Sequence, residues 1–106
     1  MHLTIAIPAF NEEKLLPETL AAIQDSAKVF EAMNWDWELV VCDNNSSDRT
    51  AELARDAGAR VVFESQNQIA RARNAAGQVA RGDWILFVDA DSKPSPELFT
   101  ATGKAM

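Results

Sequence analysis

WILFVDADSKP, residues 84–94, decides how the rest of the chain is read. Five apolar residues run directly into Asp89-Ala90-Asp91. A continuous apolar run bounded by polar turn residues is the pattern of a strand buried on both faces. This strand therefore ends by delivering two carboxylates, one residue apart, to one place.

The same grammar recurs upstream. Leu3, Ile5 and Ile7 alternate with Thr4 and Ala6 until Pro8 closes the run, which reads as a first strand. ELVVC (38–42) is a second apolar run, ending in DNNSSD (43–48), and RVVFE (60–64) is a third. Helical stripes separate them. Leu16, Leu20, Ile23, Ala27 and Phe30 recur at helical spacing, with Pro17 suited to a first turn. The small polar residues of 43–48 suit a loop and an N-cap, and a short helix from Thr50 to Ala57 is stopped by Gly58. Ile69, Ala72, Ala76 and Val79 form a third stripe, ended by Gly82. Ser95-Pro96-Glu97 opens a further helix with Leu98 and Phe99 as its apolar face.

Strand and helix alternate, so the expected fold is α/β: a Rossmann-like parallel sheet with helices on both faces. Right-handed crossovers favour strand order 3-2-1-4. In such sheets ligands bind beyond the carboxyl ends of the strands, where the order reverses. Ala9, Phe10, Asn11 and Glu12 follow strand one, Asp43, Asn44 and Asn45 follow strand two, and Asp89 and Asp91 follow strand four. Asp and Asn also make good turns, and each could stand at its strand end for that reason alone. Carboxylates gathered on adjacent strands repel one another, however, and a divalent cation relieves the repulsion. Hard oxygen ligands suit Mg²⁺ or Mn²⁺, which take one or two carboxylates together with phosphate oxygens. One spacer residue lets one acid face a ribose hydroxyl and the other the metal.

Composition narrows the function classes. With 106 residues the chain is one domain or part of one, and a net charge of −6 argues against a nucleic-acid surface. The single cysteine, Cys42, permits no internal disulfide and reads as a small core residue in a cytoplasmic setting. His2 reads as solvated. Trp35 and Trp37 read as packing residues at the amino end of the sheet. Glu13 reads as a first-turn acid interacting with a helix dipole. Arg71 and Arg81 read as a solvated face of the helix that also carries Arg73.

Four segments, PAFNEE (8–13), DNNSSD (43–48), ARNAAGQVARGD (72–83) and WILFVDAD (84–91), resemble in order and spacing the N-terminal half of family 2 glycosyltransferases, inverting enzymes of GT-A fold. The resemblance implies a site for a nucleotide-diphospho-sugar, UDP- or GDP-linked. It implies that Pro8, Ala9, Asn11, Glu12 and Asp43 contact base and ribose, and that Asp89 lies near the ribose. It further implies that Asp91 binds the Mn²⁺ or Mg²⁺ bridging the diphosphate, and that Arg73 borders the pocket. This chain departs from the family with Ala76 where Gly is frequent, and with Asn44-Asn45-Ser46-Ser47 where Gly and Thr are frequent. The acceptor is unknown, and the general base is expected beyond residue 106, as is any part giving peripheral attachment at the inner membrane face. Strand four, left at the sheet edge, is expected to pair with another copy in a homo-oligomer. Two other classes compete with a transferase. One is a non-catalytic nucleotide-sugar-binding module. The other is a receiver-like phosphoacceptor domain, which needs paired acids after strand one, approximated only by Glu12-Glu13, and a later lysine.

Overall fold

The structure is a computed structural model, and it describes residues 1–105. Its elements run β1 (His2–Ala9), α1 (Leu16–Ser26), α2 (Lys28–Ala32), β2 (Asp36–Asp43), α3 (Thr50–Asp56), β3 (Arg60–Phe63), α4 (Ile69–Val79), β4 (Trp84–Phe87) and α5 (Pro96–Ala105). The four strands form one parallel sheet in the expected order, β3-β2-β1-β4.

Alternation along β1 divides the core. Leu3, Ile5 and Ile7 face one side, packing with Leu16, Leu20, Ile23, Phe30, Ala54 and Phe99 from α1, α2, α3 and α5. Ala6 faces the other side and packs with Val40, Cys42, Ala72 and Ala76, beneath α4. Each fully buried Leu, Ile or Phe contributes roughly 1.5–3 kcal/mol, so the first layer dominates stability. Trp35 stacks on Phe30 with ring centroids 5.7 Å apart, and Trp37 packs at the same margin, in keeping with their reading as packing residues. Burial pushes the Cys42 thiol up to about 11, which leaves it inert at neutral pH.

Several local expectations need correction. The stripe from Leu16 to Phe30 is two helices, with Ala27 forming the joint between them. The run 84–88 is not buried on both faces: Trp84 is 48% exposed and Phe87 41%. The reason is placement, because α4 lies over β1, β2 and β3 and leaves β4 uncovered at the edge. Leu98 likewise points outward while Phe99 alone is buried. Glu13 precedes α1 and belongs to a loop, so it is not a first-turn acid. Arg81 lies past the end of α4. Its backbone N–H donates to Glu38 Oε2 at 2.6 Å.

Glu38 organises the amino end of the sheet. It accepts hydrogen bonds from Thr4 Oγ1 at 2.6 Å and Arg60 Nη2 at 2.9 Å, as well as from Arg81 N–H. Burial alone would raise its pKa, but these donors outweigh burial and hold it below the ordinary value. His2, expected to be solvated, is half-buried, with Nε2 4.0 Å from Glu38 Oε2 and no hydrogen-bond partner among the described residues.

Gly82 does not stop α4, which ends at Val79. Its role is close approach. A Cβ there would sit 2.5 Å from the Thr4 backbone nitrogen and 2.8 Å from the Trp84 carbonyl oxygen. Gly82→Ala is therefore expected to destabilise the chain by about 2 kcal/mol or more. Gly77, inside α4 with nothing within 4 Å of a Cβ, should behave oppositely. Gly77→Ala is expected to add about 0.5–1 kcal/mol. Urea unfolding of the two variants checks the pair, and equal midpoints would contradict the packing at residue 82.

Candidate functional site

At the carboxyl edge of the sheet the backbone leaves β1 through Asn11, at φ 50, and leaves β2 through Asn45, at φ 63. Asparagine tolerates this left-handed region better than most residues, so both loops turn sharply without glycine. The two loops are laced together. Asn11 N–H donates to Ser46 Oγ at 2.9 Å, and Ser47 N–H donates to Asn11 Oδ1 at 2.8 Å. Glu12 N–H donates to Thr50 Oγ1 at 2.9 Å, and Glu13 N–H to Asp48 Oδ2 at 3.2 Å. Asp48 also accepts the Thr50 N–H at 2.9 Å, capping α3 from just outside it. Burial would raise the Asp48 pKa, but its donors, Thr50 first, hold it low.

Asp43 is 8% exposed and accepts the Ser46 N–H at 3.0 Å, which fixes its carboxylate in a tight turn. Its β1 neighbour in register is Ala9. Beside them opens a cleft of about 300 Å³ lined by Pro8, Ala9, Phe10, Glu12, Asn44, Asn67 and Ile69. Three of the residues singled out from sequence, Pro8, Ala9 and Glu12, thus share one concavity. Asn11 and Asp43 are not among the cleft's lining residues: the Asn11 side chain holds the neighbouring loop, and the Asp43 carboxylate accepts the Ser46 N–H.

The spacing of Asp89 and Asp91 has a physical cause. Ala90 is buried, and its carbonyl accepts a hydrogen bond from Thr19 Oγ1 of α1 at 2.7 Å. The residue between the acids is pinned to the core, so both acids are turned outward, and both are exposed. Asp91 comes close enough to Glu12 to act on its charge. Burial is the largest influence raising the Glu12 pKa, followed by repulsion from Asp91 and then Asp48. Asp89 faces the other way, 3.9 Å from Arg73 Nη2, and the Arg73 guanidinium lies 5.8 Å from the Phe87 ring centroid. These residues border a second recess of about 430 Å³ that continues along β4 past Lys93, Leu98 and Phe99.

The sequence reading placed Phe10 and Asn44 just past their strand ends, but missed Asn67 and Ile69 as cleft residues. Asn67 and Ile69 follow strand three, which lies at the far edge of the sheet from the order reversal. Their signal was position alone, just past a strand neighbouring strand two.

A metal is testable against these side chains. Among the described residues no three His, Cys, Asp or Glu side chains converge to hold an ion. The acids supply one exposed carboxylate, Asp91, beside a Glu12 that carries an unrelieved repulsion. That set fits a cation whose remaining ligands are phosphate oxygens and water, and does not fit an all-protein cage.

A parallel α/β sheet with acids and a cleft at its carboxyl edge is an architecture that binds ligands beyond its strand ends. The family model "Glycosyl transferase family 2" matches residues 4–105, and the chain belongs to that family. It is 34% identical over 107 residues to the undecaprenyl-phosphate 4-deoxy-4-formamido-L-arabinose transferase of Pectobacterium carotovorum subsp. carotovorum (strain PC1), covering 91% of this chain and 31% of that protein. Among solved structures, S. aureus TarS 1–349 in complex with UDP superposes with a TM-score of 0.77 at 27% identity, covering 98% of this chain and 31% of that one. Glucosyl-3-phosphoglycerate synthase from Mycobacterium tuberculosis, in complex with Mn²⁺, UDP and glucosyl-3-phosphoglycerate, superposes with a TM-score of 0.74 at 27% identity, covering 93% and 37%. The sheet is thus the GT-A fold of these glycosyltransferases, and the chain spans about a third of the length of such relatives.

Because the Glu12 pKa is raised in the fold, its contribution to stability is present below the unfolded value of 4.5 and lost as pH rises through the folded value. Glu12→Gln should therefore raise the urea midpoint at pH 7 and leave it nearly unchanged at pH 3.5, where the wild-type carboxyl is already protonated (about a unit below 4.5). A variant less stable than wild type at pH 7 would contradict the repulsion.

Proposed function

We propose that this chain forms the donor-binding part of a metal-dependent, inverting glycosyltransferase, which moves a sugar from a UDP- or GDP-sugar to an acceptor hydroxyl. The observation that carries the reading is the placement of Glu12, Asp43, Asp89 and Asp91 past the ends of three adjacent strands, β2, β1 and β4, on one edge of the sheet, with Glu12 lining the cleft and Asp89 the second recess. UDP in one relative's structure, and UDP with Mn²⁺ in another's, support the donor class and the cation.

On this reading the cleft beyond β1 and β2 takes the nucleoside. Pro8, Ala9 and Glu12 supply its wall, Asn11 holds the wall's shape, and Asp43 accepts hydrogen bonds from base or ribose. Asp89 accepts from the ribose, and Arg73 places positive charge at the rim. Asp91, with Glu12 beside it, would hold Mn²⁺ or Mg²⁺, which when bound neutralises charge developing on the leaving diphosphate. An acceptor hydroxyl, relieved of its proton by a general base, attacks the anomeric carbon from the face opposite the departing nucleotide, which inverts that centre. Each of the four strand-end carboxylates has a donor-side role here, so none is assigned as the base. A cytoplasmic setting goes with the reduced, buried Cys42. The competing reading, donor binding without transfer, differs only in turnover.

Calorimetry with UDP and GDP, with and without Mn²⁺, tests the assignment. Asp91→Asn should abolish the metal-dependent gain in affinity while leaving metal-free binding intact. Asp43→Ala should weaken binding about tenfold whether or not metal is present, the loss of one charge-assisted hydrogen bond. Metal affinity unchanged by Asp91→Asn would overturn its role. Sugar transfer to an acceptor panel separates a transferase from a binding module.

The uncovered β4 edge, with Ile85 and Phe87 exposed, supports association with a second copy by strand pairing. Light scattering should then show a species heavier than one chain, reduced to monomer by Ile85→Lys. A monomeric, folded wild type would refute the pairing.

A further inference from the structure

We propose that Asn44 and Asn67 are positioning residues for nucleotide binding, which hold residues 64–68 in place as the far wall of the cleft. The inference rests on the donor-binding reading above and extends it to two residues that reading does not use.

β3 is four residues long, and its last residue, Phe63, is exposed. The chain must then cross to α4 through residues 64–68, a segment with neither helix nor strand and mostly exposed. Such a segment is mobile unless its backbone is tied down. Asn44 provides the tie. It is 5% exposed, and its side-chain amide nitrogen donates to the carbonyls of Glu64, at 3.1 Å, and Gln66, at 2.5 Å. An amide nitrogen carries two protons, so both are engaged and the orientation of the group is fixed. The Asn44 backbone N–H donates to the Ala9 carbonyl at 2.8 Å, and its own carbonyl accepts from Asn67 Nδ2. One residue thus joins the end of β1, the end of β2 and the β3–α4 connection. Those three segments supply the cleft's lining, with Asn67 and Ile69 on the far side.

Within the segment Gln66 N–H donates to Glu64 Oε2 at 2.9 Å and Gln68 N–H to the Gln66 carbonyl at 2.8 Å. Those bonds shape it locally without tying it to the sheet. Two further bonds tie its first residues. Glu64 N–H donates to the Asp43 carbonyl at 3.0 Å, and Asn45 Nδ2 reaches the Ser65 carbonyl at 3.3 Å. Neither restrains Gln66 and Asn67. Replacing the Asn44 amide by a carboxylate keeps its size but sets oxygen against two carbonyl oxygens, which repels the segment it formerly held.

The test uses the 106-residue chain and UDP without metal, so that Asp91 plays no part. Asn44→Asp and Asn67→Asp should each weaken UDP binding about tenfold, the scale of one lost hydrogen bond, with binding stoichiometry unchanged. Amide exchange at residues 65–68 should quicken in both. Asn67→Gln keeps a donor and should recover most of the affinity. Because Asn67 is exposed, its variants fold even where Asn44→Asp does not. A wild type that binds no UDP overturns the donor-binding reading and this inference together. A wild type that binds, with both Asp variants equal to it, overturns this inference alone. So does a fall in stoichiometry at unchanged Kd, which marks a role in folding only, and so does Asn67→Gln performing no better than Asn67→Asp.

Discussion

Everything in this structure depends on β1 being enclosed. It pairs with β2 along one edge and β4 along the other, and its residues from Leu3 to Ala9 are buried. A strand closed in this way must satisfy its backbone through parallel ladders, and its side chains must be apolar or, like Thr4, hydrogen-bonded. Leu3, Ile5 and Ile7 meet that demand on the helix-rich side, and the small Ala6 meets it beneath α4. The small residue matters there, since α4 brings Ala72 and Ala76 to the same layer and packs close.

Parallel strands all end on one edge, and this converts a folding constraint into chemistry. The polar groups needed to bring β1, β2 and β4 out to water are collected in one place, whatever their separation in sequence. Glu12 and Asp91 are far apart along the chain, yet the charge of one perturbs the other. The fold leaves that repulsion in place, and only added positive charge would relieve it. The opposite edge shows the contrast. There Glu38 is surrounded by Thr4, Arg60 and the Arg81 N–H, so its charge is balanced within the protein.

The loops show how much precision the site needs. Asn11 and Asn45 take left-handed backbone, and Ser46, Ser47, Asp48 and Thr50 bond across to the loop after β1. These residues, which look like ordinary turn formers, fix where Glu12 and Asp43 stand. Thr19 performs the same service for the acids after β4 by holding the Ala90 carbonyl.

The sequence by itself determined the alternation of strand and helix, the strand order, and the identity of the acids at the strand ends. It could do so because apolar periodicity and crossover handedness are local or generic constraints. It also carried the family, through four ordered motifs that the model match over residues 4–105 bears out. What it could not decide were relations between distant residues. That β4 is exposed depends on where α4 lies. That Gly82 is a point of close approach rather than a helix stop depends on Thr4. That His2 is half-buried depends on Glu38. That Asn44 and Asn67 border the cleft depends on β3 lying beside β2. Each is set by tertiary packing, because a side chain's surroundings are fixed by neighbours in space, which no window of sequence contains.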